Sequence, residues 1–139
     1  MVIGDDVGTF RQAVEDRDMD AVEALLANDV VFQSPVAYKP YQGKAITSAI
    51  LRAVGEVFED FHYVREIQDE EQHALVFAAT VDGLEITGCD FLIYDDDGRI
   101  TNLMVMVRPL KAAQALAARM GARFPDIQAA ALAATAEGH

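Results

Sequence analysis

FHYVREIQDEEQHALVFAATVDGLEITGCDFLIYDDDGRITNLMVMVR, residues 61–108, carries apolar residues at a spacing of two through most of its length. That period puts successive side chains on opposite faces of an extended strand. The run divides into four strands, 61–69, 73–81, 84–95 and 99–108, with short polar connections. Gln68–Gln72 is a solvated turn. Asp82-Gly83 is a two-residue hairpin signal, and Asp97-Gly98 ends another tight turn. Strands joined this closely run antiparallel, as a meander.

Upstream the period is helical. Val7, Phe10 and Val14 share a stripe over residues 6–17. Asp18 is a good N-cap for a second helix with Met19, Val22, Leu25 and Leu26 inward, stopped by Asn28-Asp29. Val30–Ser34 reads as a strand closed by Pro35, and Val36–Gly43 as a loop. Residues 44–58 form the clearest helix, with Ile46, Ile50, Ala53, Val54, Val57 and Phe58 at helical spacing. After the strands, Pro109 ends the sheet. A last helix follows with Leu110, Ala113, Leu116, Ala117, Met120 and Phe124 as its stripe, broken by Pro125. The expected core covers about 5–125, followed by an Ala-rich tail over 126–139 in which 126–136 forms either a short helix or a frayed end. The order is helix, helix, strand, helix, four strands, helix. This is α+β, with helices on one face of an antiparallel sheet, in a single domain over 1–139.

The chain has 139 residues, 52% of them apolar, enough for one core without staples. Eleven Lys and Arg against 23 Asp and Glu give a net charge of −12. That balance argues against nucleic acid and against an anionic membrane surface. One cysteine, Cys89, cannot close an internal disulfide, and three scattered histidines make no zinc pattern. No run of about 18 apolar residues suggests a membrane span, and the acidic N-terminus is unlike a signal peptide. A soluble cytoplasmic protein is expected, without metal or cofactor.

Asp90 stands out. It is the only charge in Ile86–Tyr94, and its i±2 neighbours are Gly88 and Leu92. A carboxylate on an apolar strand face is costly unless it is paired, hydrogen-bonded or neutralised by a raised pKa, which makes it a site candidate. The alternative is an edge-facing aspartate paired with Arg108 or Arg65. Ser34 before Pro35 reads first as a turn former, and Gly88 as a bulge or bend in a curved sheet. Tyr38 and Tyr41 lie in a loop that would cover one end of a pocket. His62 and His73 read as surface or half-buried imidazoles. No nucleophile elbow or phosphate-binding glycine loop is present. Asp95-Asp96-Asp97-Gly98 lacks the downstream Glu of a calcium loop and reads as a polar turn. In the last strand Met104 and Met106 alternate with Leu103, Val105 and Val107, so both faces are apolar and the outer one needs a cover, most simply a second subunit.

Three stretches carry a family resemblance: Arg17–Val22 with Ala27–Phe32; Ser34-Pro35 with Gly43 opening the third helix; and Tyr94–Ile100. With the element order, they make the chain similar to the nuclear-transport-factor-2-like superfamily, near its ketosteroid-isomerase and SnoaL-like polyketide-cyclase branches. The resemblance implies a cystatin-like cone: a curved antiparallel sheet wrapping helices around an apolar pocket, in a homodimer formed through the outer sheet face. Ketosteroid isomerases use a base Asp before the proline, an oxyanion Tyr on the first helix and a protonated Asp on the penultimate strand. Here those positions hold Ser34, Phe10 and Asp90, so one of three is retained. The Asp-Arg-Asp arrangement of related epoxide hydrolases does not assemble, Arg65 being the only strand arginine to consider.

The expected pocket lining is Phe10, Val14, Phe32, Ser34, Tyr38, Ile50, Val54, Phe58, Leu92, Leu103, Val105 and Val107 around Asp90. The expected ligand is small, apolar and cyclic or aromatic, with an acceptor oxygen for Asp90. Two functions stay open. One is a cofactor-independent isomerase, cyclase, dehydratase or hydrolase with Asp90 as acid or oxyanion donor, and with a water, Tyr38 or His73 as the second group. The other is a binding or dimeric interaction module without turnover.

Overall fold

Short turns with positive φ organise the sheet. A computed structural model describes residues 10–136. Asp82 and Gly83, at φ 51° and 76°, turn strand β4 (Gln72–Val81) into β5 (Leu84–Tyr94). Two consecutive positive φ angles match the right-handed twist of the flanking strands. Glu70, at φ 52°, makes the turn between β3 (Glu59–Asp69) and β4, so the expected five-residue connection shrinks to Glu70-Glu71. Before β6 (Ile100–Arg108), the Asp95 carboxylate accepts from the backbone N–H groups of Asp97 and Arg99, both at 2.9 Å. That is the polar turn the sequence predicts.

β3 to β6 form the expected antiparallel meander. The sheet as a whole is mixed, with order β2 (Tyr41–Gln42), β1 (Leu26–Gln33), β6, β5, β4, β3. β1 lies parallel to β6, which corrects the purely antiparallel expectation. The two strands are far apart in sequence, so no turn between them encodes their direction. β2 pairs with the outer edge of β1 inside the stretch expected to be loop. The result is α+β with a curved six-stranded sheet.

The described part of helix α1 covers 10–15, and Val7 lies outside the described residues. Helix α2 (Met19–Leu25) starts where Asp18 accepts from Ala21 N–H at 3.1 Å. It stops three residues earlier than Asn28 would dictate. Leu26 already has extended backbone, and it is fully buried as the first residue of β1. Helix α3 (Lys44–Val57) buries Ile50, Ala53 and Val57. Helix α4 (Leu110–Ala136) runs through Pro125 and corrects the expected break. Pro125 removes one N–H bond to the preceding turn, but the helix on either side is anchored. Phe124 packs on Tyr41 at 5.9 Å, and Ile127 is only 3% exposed. Of the two readings of the Ala-rich stretch, the helix is the one present, continuous with α4 through Ala136.

Register places Tyr63, Leu75, Phe77, Ile86, Gly88, Asp90, Leu92 and Leu103 on the inner face, against the helices. Cys89, Phe91, Ile93, Met104 and Met106 fall on the outer face. No bulge occurs at Gly88, since the β4–β5 register runs without a shift from Gln72 to Val81. A Cβ at Gly88 would lie 2.2 Å from Cζ of Phe77. The glycine is the seat of that ring, and this corrects the bulge reading.

Candidate functional site: an aromatic cavity around a buried carboxylate

Between the inner sheet face and the helices lies a cavity of about 740 Å³. Six of the seven phenylalanines line it: Phe10, Phe32, Phe58, Phe61, Phe77 and Phe124. Phe61 is the hub of one wall, 4.8 Å from Phe77 and 5.7 Å from Phe58 between ring centroids. Packed rings of this kind make that wall apolar.

Asp90 enters this wall from β5, and it is 8% exposed. Tyr63 Oη, from β3, donates to Asp90 Oδ2 at 2.8 Å. This is the one side-chain hydrogen bond of that carboxylate among the described residues. Burial raises the Asp90 pKa from an ordinary 3.8 to about 7, with the Tyr63 hydrogen bond pulling the other way. Burial, and then the negative charge of Asp90, push the Tyr63 hydroxyl well above its ordinary value, so Tyr63 stays protonated and acts as a donor. Arg11 covers the Tyr63 ring, its guanidinium 5.9 Å from the centroid, and is held by Glu66 at 3.0 Å. A carboxyl group near pKa 7 holds both protonation states at neutral pH, the condition for acid–base work.

The structure places Phe10, Val14, Phe32, Ser34, Ile50, Val54, Phe58, Leu103 and Val105 in the lining with Asp90. Three expected residues are elsewhere. Tyr38 is 98% exposed, because Ser34 Oγ accepts from Val36 N–H at 3.1 Å and closes a turn that carries the loop outward. Tyr41 packs inward instead, 6.3 Å from Phe32. Leu92 is buried in register with His73 and Leu103, where core side chains fill the space. Val107 lies opposite Gly88, half-buried against the core beyond the cavity.

Neither histidine is a partner for Asp90. His62 Nδ1 lies 2.9 Å from the Asp60 carbonyl on the surface. His73 is not half-exposed: it is 5% exposed and 4.7 Å from the Tyr94 ring, and that burial lowers its pKa. Arg65 is in register with Val76 and Cys89, on the sheet face opposite Asp90, which removes both the salt-bridge and the Asp-Arg-Asp readings for it. Arg108 is exposed at the end of β6 and makes no ion pair with Asp90. Sequence reasoning missed Tyr63. Its signal was Phe61-His62-Tyr63, two aromatics on one strand face, but linking Tyr63 to Asp90 needs the register of three strands.

Among the described residues, no helix is long and apolar enough to cross a membrane. No curated protein sequence matches the chain. The family model of the SnoaL-like domain matches residues 7–103. A crystal structure of a steroid delta-isomerase from Pseudomonas aeruginosa is 40% identical, with a TM-score of 0.84 over 91% of this chain and 94% of that one. An uncharacterised cystatin-like protein of Silicibacter pomeroyi is 32% identical, with a TM-score of 0.81 over 90% and 93%. A nuclear-transport-factor-2-like protein of Cytophaga hutchinsonii, 20% identical with a TM-score of 0.59 over 76% and 88%, shares the fold. The match over 7–103 and the two relatives above 30% identity make this chain a member of the SnoaL-like domain family, within the nuclear-transport-factor-2-like superfamily.

Proposed function

We propose that this domain binds a small, flat, apolar molecule with one carbonyl or phenolic oxygen, and exchanges a proton with it at Asp90 without a cofactor. The observation that carries this reading is a buried carboxyl of pKa about 7, hydrogen-bonded to Tyr63, in an aromatic cavity. The reaction class is isomerase-type. The Asp90 carboxylate takes a proton from the carbon beside the carbonyl, the C–H pair becomes a C=C bond as the C=O π pair moves onto oxygen, and Asp90 returns the proton to a carbon further along the conjugated system, so that the C=O re-forms and the double bond has moved. The 40%-identical neighbour named as a steroid delta-isomerase supports the class. Phe10 and Ser34 stand where, by the resemblance, ketosteroid isomerases carry their Tyr and base Asp, so this chain keeps one of those three groups. Those two residues favour the second reading, a binding module without turnover.

2-Tetralone, a flat apolar ketone, separates the two. In deuterated buffer near pH 7, the protein should accelerate exchange of its α-protons, followed by NMR. Asp90→Asn should cut that rate by about 10²–10⁴-fold while binding persists. Binding with exchange at the background rate leaves the module reading. No binding by NMR line broadening overturns both.

We also propose a second copy of this chain as the cover of the outer sheet face. Phe91, Ile93 and Met106 are 37%, 40% and 54% exposed there, on neighbouring strands. Charge inside such an apolar patch opposes burial. Met106→Lys should therefore convert a dimer into monomers in analytical ultracentrifugation. A wild-type monomer at micromolar concentration counts against the proposal.

A further inference from the structure

Charged side chains surround the open end of the cavity: Glu15, Arg17, Arg52 and Glu56 all line it. Three of them are matched. Arg52 binds Asp20 at 2.8 Å and Glu23 at 2.9 Å. Glu56 receives Arg123, and Glu15 receives Arg11 at 3.3 Å. Arg17 differs. Among the described residues it makes no ion pair, and its guanidinium donates only to the Gly55 carbonyl, at 3.4 Å. Its backbone sits at φ 59°, a region that non-glycine residues seldom occupy. The turn between α1 and α2 thus presents, at an exposed cavity-lining position, a cation with no ion pair among the described residues, in a chain whose net charge is −12.

A second observation comes from the helices. Gly55 lies within α3 and Gly121 within α4, and both line the cavity. Glycine in a helix interior is destabilising relative to alanine. No close packing accounts for either residue, since a Cβ at each would meet nothing within 4 Å. What the two glycines leave is open volume, and at Gly55 that volume adjoins Arg17. The aromatic walls and the Asp90–Tyr63 pair account for an apolar body with one oxygen. They do not account for an unmatched guanidinium beside open space.

We infer that Arg17 and the gap at Gly55 form an anion subsite at the cavity mouth, so that the ligand is an aromatic or polycyclic acid. Its carboxylate meets Arg17, and its carbonyl or phenolic end lies at the Asp90–Tyr63 pair. A planar guanidinium is suited to a carboxylate, which it can engage through two parallel N–H bonds. The other charged lining groups do not compete, because each is held by its own partner. This assignment rests on the cavity-binding reading above.

Three fluorescent probes test it: 2-naphthol, 6-hydroxy-2-naphthoate and the methyl ester of the latter. At low salt the acid should bind about tenfold more tightly than its ester, and the gap should narrow at 0.5 M salt. Arg17→Gln should bring acid and ester to parity. Gly55→Leu, which fills the gap beside Arg17, should weaken the acid more than 2-naphthol. If 2-naphthol binds but acid and ester bind equally to the wild type, the subsite is overturned and the cavity reading stands. Equal weakening of acid and ester by Arg17→Gln also overturns it. If none of the three binds, the cavity reading falls and the subsite falls with it.

Discussion

Replacing Gly88 with alanine lowers the stability of this domain by about 2–3 kcal/mol and its unfolding midpoint by roughly 6–12 °C. The added Cβ meets Phe77 Cζ at 2.2 Å, Phe77 Cε2 at 2.6 Å and the Met106 carbonyl oxygen at 2.8 Å. Real Cβ atoms do not come so close, so something must move. The ring is held, because Phe58 and Phe61 pack on it at 5.5 and 4.8 Å between centroids. The carbonyl is held as well, since it belongs to β6 in register with β5. Any relief therefore passes into the cavity wall, two residues from Asp90. Adding Phe77→Leu to Gly88→Ala should recover part of the loss, because it removes the ring contacts but leaves the carbonyl contact. Thermal or urea unfolding of the single and double variants measures this coupling. A Gly88→Ala protein within 0.5 kcal/mol of wild type would mean that the ring is not seated on that glycine.

The same glycine marks where sequence reading reached its limit. Period two and the dipeptides Asp82-Gly83 and Asp97-Gly98 are local signals, and each corresponds to a strand or turn in the structure. Asp90 was legible because a lone charge on an apolar strand face needs no partner to be noticed. Tyr63 was not, because its meaning depends on β3 lying beside β4 and β4 beside β5. Gly88 suffered in the same way: its reason is a ring on the neighbouring strand. Tyr38 and Tyr41 were indistinguishable in a stretch with no period, and only the pairing of Tyr41 with Phe32 separates them. Pro125 was read by its local rule, yet the burial of Ile127 two residues later outweighs one lost hydrogen bond. Local chemistry fixed the elements, and long-range packing chose among the residues on them.

Asp90→Asn should make the domain more stable than wild type at pH 8, by roughly 2–4 kcal/mol, and about equal to it near pH 4. The direction follows from proton counts. Asp90 titrates near 3.8 unfolded and near 7 folded, so between those values the folded chain holds a proton that the unfolded chain has released. Stability then falls as pH rises, by up to about 1.4 kcal/mol per unit, and levels off above pH 7. Well below pH 3.8 the carboxyl is neutral in both states and the penalty vanishes. Asparagine keeps the shape, still accepts from Tyr63 through its carbonyl oxygen, and carries no charge to desolvate. Glu23 and Asp82, whose pKa values Arg52 and Arg119 lower, give the opposite slope at low pH, but both cancel in the difference between wild type and variant. Tyr63→Phe works the other way. It removes the hydrogen bond that favours the carboxylate, so the folded pKa rises further and the penalty at pH 8 grows. Urea unfolding from pH 4 to 9 for the three proteins tests both statements. Parallel wild-type and Asp90→Asn curves would mean an ordinary, solvated carboxylate, and would leave the cavity without its acid–base group. Diverging curves would measure directly how much stability the fold gives up to keep a titrating group in its aromatic cavity, and that cost is one that packing alone gives no reason to carry.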